Sequence, residues 1–248
     1  MNGDVPVPAR VLVVTPVFNE EGNIGAVLTG AKRALPGADL VVVNDGSTDR
    51  SADVAARAGA FVLSHPFNLG YGAAIQTGFR WAARHRYERV ALLDADGQHD
   101  PSELPQLLAA LDSTPADVVL GSRFLGRADY HIPWLRRLGM RIFSRAASVA
   151  TGRRITDASS GYQALRGGVV RFLASEPFPT DFPDADNLIM LHRAGFRVTE
   201  VPAVMRERRT GRSMIANTRS LYYVFKMALS ILVTLLRAAP RPAEEDRS

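Results

Sequence analysis

The sequence predicts an α/β domain of three layers built on a mostly parallel sheet. Three observations predict it. Short runs fit for buried strands alternate with helical stretches every twenty to thirty residues through the first half of the chain. The runs are continuously apolar, as strands covered on both faces must be. Each of the first, second, fourth and fifth runs ends in polar residues, and in such sheets ligands sit outside the carboxyl ends of the strands.

Val11–Val14 is the first strand and runs into Thr15-Pro16-Val17-Phe18-Asn19-Glu20-Glu21; a helix over Asn23–Leu35 follows and Pro36-Gly37 stops it. Leu40–Val43 is the second strand and breaks into Asn44-Asp45-Gly46-Ser47-Thr48-Asp49. The Asp-Gly pair suits a hairpin, but Ser51–Ala58 has helical character with Gly59 as C-cap, so strand-loop-helix is expected. Phe61–Leu63 is a third strand. Asn68-Leu-Gly70-Tyr-Gly72 then leads into a helix carrying Ile75, Phe79, Trp81 and Ala82.

The fourth strand starts at Val90 and ends abruptly in acid, Asp94-Ala95-Asp96-Gly97-Gln98. If the chain stays extended, residues i and i+2 point the same way, so both carboxylates would face one cation while Ala95 turns away. Hard divalent cations such as Mg2+ and Mn2+ take oxygen ligands and share them with substrate phosphates. A solvated turn before a helix is the plainer alternative. His99 is adjacent, but oxygen-preferring cations make it a surface or supporting residue. The next helix is well signed, with Asp100 as N-cap, Pro101 at its first position and Glu103 placed for a capping box.

Val118–Leu120 is a fifth strand, ending in Gly121-Ser122-Arg123. Beyond it the alternation loosens. Trp134–Ala150 is a basic amphipathic helix, Thr156–Tyr162 a turn into a strand, and Asp184–Arg193 another helix. Phe196–Val201 alternates like a strand, and Ala203–Arg209 is expected to pair near it. From Leu221 to Leu236 the only charge is Lys226. Sixteen helical residues reach about 24 Å, short of the roughly 30 Å of hydrocarbon a spanning helix needs. An interfacial helix, or one docking on a membrane partner, is the better reading, with a core helix as the alternative.

With 248 residues the chain is long enough for one large domain, and 46% hydrophobic against 22% charged residues is an ordinary globular balance. The formal charge of +5 admits nucleic acid, an anionic membrane face or a phosphate-bearing substrate as partner. No basic stretch interleaved with aromatics is evident, so nucleic acid is not expected. The absence of cysteine excludes disulfides and thiolate metal sites. Met1–Arg10 holds no basic region followed by an apolar core, so no secretory leader is expected.

Taken together, Thr15–Glu20, Val43–Asp49, Asn68–Gly72, Asp94–Gln98 and Gly121–Arg123 resemble, in order, the motifs of family 2 glycosyltransferases of the GT-A fold. Within that family the likeness is greatest to dolichyl-phosphate and polyprenyl-phosphate mannosyl- or glucosyltransferases. The resemblance covers 10–215 and implies a GT-A domain there; on the chain's own pattern a tail (1–9) precedes it, and a membrane- or partner-associating helix (216–237) and a proline-rich, charged, disordered tail (238–248) are expected after it. It implies nucleotide-sugar contacts from Pro16, Phe18, Asn19, Glu20, Val43, Asp45, Ser47, Gly70, Asp94, Ala95 and Asp96. Asp94, Asp96 and Gln98 would hold Mg2+ or Mn2+, and Arg123, Arg137, Arg208 and Ser213 the acceptor phosphate. Asn44 and Met214 depart from the aspartate and lysine common at those places.

The implied reaction is inverting transfer of a hexose from GDP-mannose or UDP-glucose to a polyprenyl phosphate at the cytoplasmic membrane face, with Asp96, Arg123, Asp157 and Asp184 as catalytic candidates. A phosphate acceptor is already anionic and needs positioning more than a base. A hydroxyl acceptor is the alternative and would need one, from Asp157, Asp184 or Asp186. A catalytically inactive nucleotide-binding scaffold is a third possibility, against which the intact acids argue.

Overall fold

The computed structural model describes residues 10–125, 134–175, 178, 184–206 and 218–237. Among them seven strands form one sheet in the order β3-β2-β1-β4-β6-β5-β7. In chain order these are β1 (Val11–Val17), β2 (Asp39–Asn44), β3 (Phe61–Ser64), β4 (Arg89–Leu92), β5 (Val118–Ser122), β6 (Gln163–Arg166) and β7 (Val198–Pro202). The helices are α1 (Ile24–Ala34), α2 (Ser51–Arg57), α3 (Tyr71–Arg84), α4 (Leu104–Ser113), α5 (Trp134–Thr151), α6 (Gly167–Ser175), α7 (Ala185–Arg193) and α8 (Thr218–Leu236), with a single 3-10 turn, Pro101–Glu103, before α4.

β1 pairs in parallel with β2 on one side and β4 on the other. The chain therefore reverses its direction of winding between them, which opens a crevice at their carboxyl ends. β6 alone runs antiparallel, inserted between β4 and β5. Because it is reversed, the loop before it, rather than after it, reaches the edge where the other strands end.

Alternation along β1 sends Leu12 and Val14 into one apolar layer and Val13 and Val17 into the other. α3, α5, α6 and α7 cover the first face, α1, α2 and α4 the second, giving the three layers expected. Ile24, Val27, Leu28 and Ala31 place the buried stripe of α1 at helical spacing.

Two local expectations are corrected. Asp100 does cap, its Oδ1 accepting from Ser102 N at 3.0 Å, but Glu103 forms no capping box: its carboxylate accepts from Val204 N at 3.0 and 3.2 Å. Tying the chain after β7 to this turn satisfies a backbone donor that a local box would leave unmet. Secondly, Met205 bridges antiparallel to His99, not to β7, so Ala203–Met205 folds over the acidic loop. Residues 207–209 of that expectation lie outside the described residues, as do both terminal tails.

α5 carries two faces. Met140, Phe143 and Ala147 are buried, while Leu138, Ile142 and Val149 are exposed on the opposite side with Arg141 and Arg145. α8 is held on α7: Met227 joins the core, Ser230 Oγ donates to Asp186, and Arg193 donates to the carbonyls of Leu235 and Arg237, each at 2.8 Å. A guanidinium on the last carbonyls satisfies acceptors that every helix end leaves open. Leu229, Leu232, Val233, Leu235 and Leu236 of α8 stay exposed. Among the described residues no helix is long and apolar enough to cross a membrane.

Candidate active site

The loops after β1 and β2 are stitched to each other. Asn19 N donates to Ser47 Oγ (3.0 Å), and Thr48 N donates to Asn19 Oδ1 (2.8 Å). Glu20 N donates to Ser51 Oγ (2.8 Å), and Asn44 Oδ1 accepts from Ser47 N (3.1 Å). Asn44 thus serves as a turn acceptor where an aspartate is common. Gly46 is required by its backbone: φ is +69°, and a Cβ would stand 2.5 Å from the carbonyl carbon of Phe67.

Of the residues expected around a nucleotide, Phe18 and Asn19 are exposed and Ser47 and Gly70 half-buried. Pro16 and Val43 lie side by side, buried within the β1–β2 ladder, so their contribution is to the floor. Glu20 is buried, with Asn23 Nδ2 donating to its carboxylate at 2.7 Å. Asp45 is buried too. Its carboxylate accepts from Leu69 N (2.8 Å) and Gly70 N (2.9 Å) and contacts His65 Nδ1 (2.7 Å), whose other nitrogen meets Thr77 Oγ1 at 2.9 Å. The second motif's acid therefore pins down the third motif.

β4 ends at Leu92, so the acidic loop is a turn and not an extended segment. This corrects the extended-chain argument. Asp96 Oδ1 accepts from Gln98 N at 3.0 Å, a tight local turn that extended backbone could not make. Ala95 is buried in the apolar layer that also holds Val13, Val17 and Leu93. Tyr71 Oη donates to Asp94 Oδ1 at 2.7 Å. Burial drives the Tyr71 phenol well above its ordinary range, and the charges of Asp94, Asp184 and Asp96 add to this. Acids from two separate loops, Asp94 and Asp96 after β4 and Asp184 before α7, thus act on one phenol.

Oxygen donors of this kind fit a hard divalent cation. Among the described residues no third His, Cys, Asp or Glu completes a cluster, so a cation held by Asp94 and Asp96 would draw on Gln98 and on a ligand's phosphates. The amide nitrogen of Gln98 donates to Arg206 O (3.3 Å). His99 is buried and stacked on Tyr162 at 4.8 Å, and burial pulls its ring down to about 4, so it is neutral.

Arg123 and Asp157 are brought together, but with each other. The guanidinium grips the carboxylate by Nε (2.6 Å) and Nη2 (2.5 Å), Arg123 N adds a third donor (3.0 Å), and both residues are buried. Nη2 also donates to Ser159 Oγ at 2.7 Å. Glu200 of β7 shapes this loop, accepting from Thr156 N (2.9 Å) and Asp157 N (2.8 Å). Arg137 is exposed on α5; Arg208 and Ser213 lie outside the described residues. Tyr71, Gly161, His65 and Glu200 were not singled out from sequence. Tyr71 lies within Asn68–Gly72, and its place before a helix behind a glycine is the available signal.

An acidic pair at the switch point of such a sheet, beside two interlocked loops, is the arrangement of the GT-A glycosyltransferases. Solved structures share the fold: glucosyl-3-phosphoglycerate synthase from Mycobacterium tuberculosis, in complex with Mn2+, uridine diphosphate and glucosyl-3-phosphoglycerate, superposes with a TM-score of 0.68 at 23% identity, covering 96% of this chain and 82% of that one. The family described as Glycosyl transferase family 2 matches residues 12–172, and the chain belongs to it. It is 33% identical to an undecaprenyl-phosphate mannosyltransferase of Micrococcus luteus over 216 residues, 84% of this chain and 88% of the relative. It is 32% identical to a polyprenol monophosphomannose synthase of Mycolicibacterium smegmatis over 235 residues, 88% of this chain and 86% of that one. The protein is a glycosyltransferase.

Proposed function

We propose that this enzyme transfers a hexose from GDP-mannose or UDP-glucose to a polyprenyl phosphate, with inversion, at the cytoplasmic face of a membrane. The acceptor is supported by the names of the two relatives, each spanning most of the chain. The observation that carries the chemistry is that Asp94, hydrogen-bonded to Tyr71, and Asp96, two residues on, lie in the turn after β4. Phe18 offers a face to the base, and Asn19, Ser47 and Gly70 surround the nucleoside. Asp94, Asp96 and Gln98 hold Mg2+ or Mn2+, as structural neighbours crystallised with Mn2+ or Mg2+ and UDP suggest. A bound cation would supply Lewis-acid neutralisation of the departing diphosphate.

In this reading Arg137, Arg208 and Ser213 hold the acceptor phosphate, since guanidinium forks suit phosphate oxygens. An acceptor oxygen then attacks the anomeric carbon in line, while the bond to the nucleoside diphosphate breaks. Arg123, gripped by Asp157, acts by fixing the loop after β5 against the loop before β6. Asp157, buried in that grip, acts by holding Arg123 in place. The apolar, arginine-flanked outer face of α5 and the exposed leucines of α8 suit an anionic lipid surface; a small membrane protein docking on α8 is the alternative partner.

The test is transfer of labelled sugar from each donor to a short polyprenyl phosphate with Mn2+ or Mg2+, comparing wild type with Asp96→Asn. Metal-dependent, mutant-sensitive product in the lipid phase is expected and names the donor. Product formed only with a hydroxyl acceptor would overturn the phosphate reading. Nucleotide binding without turnover on any acceptor would favour an inactive scaffold.

A further inference from the structure

Asp94 is not held by its own loop alone. Tyr71, the first residue of α3, donates its hydroxyl to Oδ1. The phenol is itself delivered from elsewhere: Gly70 stands immediately before it at φ +104°, and the amides of Leu69 and Gly70 are anchored on the buried Asp45 carboxylate. A continuous path of hydrogen bonds and backbone therefore runs from the second motif through the third to the first acid of the fourth.

The other side of the pair is closed by the loop before β6. A Cβ built on Gly161 would lie 2.6 Å from Tyr71 Oη, 2.9 Å from Asp94 Oδ2 and 3.3 Å from Asp94 Oδ1. Bare backbone thus lies against both the phenol and the carboxylate, and a methyl group there would displace one or both of them. A carboxylate only accepts, so the phenol hydroxyl is the donor in this bond.

We propose that Tyr71 is a positioning residue for the cation site: its hydroxyl fixes the plane of the Asp94 carboxylate, and position 161 is glycine so that this pair can form. The inference rests on the metal-dependent reading above and goes beyond it by assigning the group that orients a ligand. A carboxylate already oriented by a donor loses less freedom when a cation arrives. Such outer partners are commonly worth about 10–100-fold in metal affinity.

The test is Mn2+ titration of the full chain in the presence of UDP or GDP, followed by electron paramagnetic resonance of the unbound ion, with thermal unfolding run alongside. Tyr71→Phe is expected to weaken Mn2+ binding by about 10-fold or more and to raise KM for Mn2+ more than it lowers kcat at saturating metal. Gly161→Ala should weaken binding similarly with little change in Tm, because its added carbon meets only side-chain ends, which can move. The double variant should be little worse than the weaker-binding single one, since both remove the same contact. If wild type takes up Mn2+ while Tyr71→Phe and Gly161→Ala match it within about twofold, well below the range for such partners, the positioning role falls and the metal-dependent reading stands. If wild type takes up no Mn2+ with either nucleotide, both fall.

Discussion

Arg123→Met should be among the most damaging single substitutions in this protein. The guanidinium provides Asp157 with two charge-assisted hydrogen bonds, at 2.6 and 2.5 Å, in a place where neither residue has meaningful solvent access. Removing it leaves Arg123 N and the Ser159 hydroxyl, which cannot balance a buried carboxylate. Breaking a buried pair from one side costs about 3–5 kcal/mol. For a chain of this size each kcal/mol lowers Tm by roughly 2–4 °C, so a drop of about 6–20 °C is expected by scanning calorimetry. Asp157→Leu should cost a similar amount by stranding the guanidinium. The double variant should recover most of the loss, because a buried pair replaced on both sides by apolar groups is often neutral. A drop under about 2 °C in both single variants, less than 1 kcal/mol by the same conversion, would refute the reasoning. So would a double variant with the sum of the two losses.

Other outcomes follow from the same geometry. Gly46→Ala must place a Cβ against the Phe67 backbone at φ +69°, and a left-handed residue alone costs about 1–2 kcal/mol; calorimetry should show at least that loss, with weakened nucleotide binding as the loop shifts. Asp186 is held above the ordinary carboxylate range chiefly by burial, against hydrogen bonds from Ser230 and from the amides of Asn187 and Asp184. A raised folded value means that its contribution is fully present below the unfolded value, about 3.9, and is lost as pH rises through the folded one. Asp186→Asn should therefore flatten that part of the stability profile and relieve the cost at neutral pH, measured by denaturant unfolding across pH. Ile142→Glu combined with Leu232→Glu should reduce flotation with vesicles rich in anionic lipid while leaving nucleotide binding intact.

Much of the fold was legible because its signals are local. The apolar runs of β1, β2, β4 and β5 could hardly be anything but doubly covered strands, and Asp100-Pro101 marked a helix start that the structure shows. Glu103 and Met205 were misjudged because each acts across a large sequence separation, on Val204 and His99 respectively. Residue types and spacing cannot announce such partners. The same limit hid Tyr71 and Gly161: one is a phenol in a glycine-rich turn, the other a glycine before a strand, and their relation exists only once β6 is in place. Arg123 and Asp157 were each noticed, but nothing along the chain says that two opposite charges will neutralise one another instead of facing substrate.

The reversed β6 also constrains how the molecule can be made. As the chain emerges, β1 to β4 can pair with one another in parallel without waiting for later residues. β5 has no neighbour until Gln163 arrives, because the strand that joins it to β4 is synthesised after it. Until then Val90 and Leu92 form an open edge, and Val118–Leu120 is an unpaired apolar segment, the kind of surface that aggregates or recruits a chaperone. The nascent protein thus passes through a stage with its nucleotide half built and its remaining strands unsorted. A pause in translation between Ser122 and Gln163 would prolong that exposure, whereas one after Pro202 would find the sheet already closed.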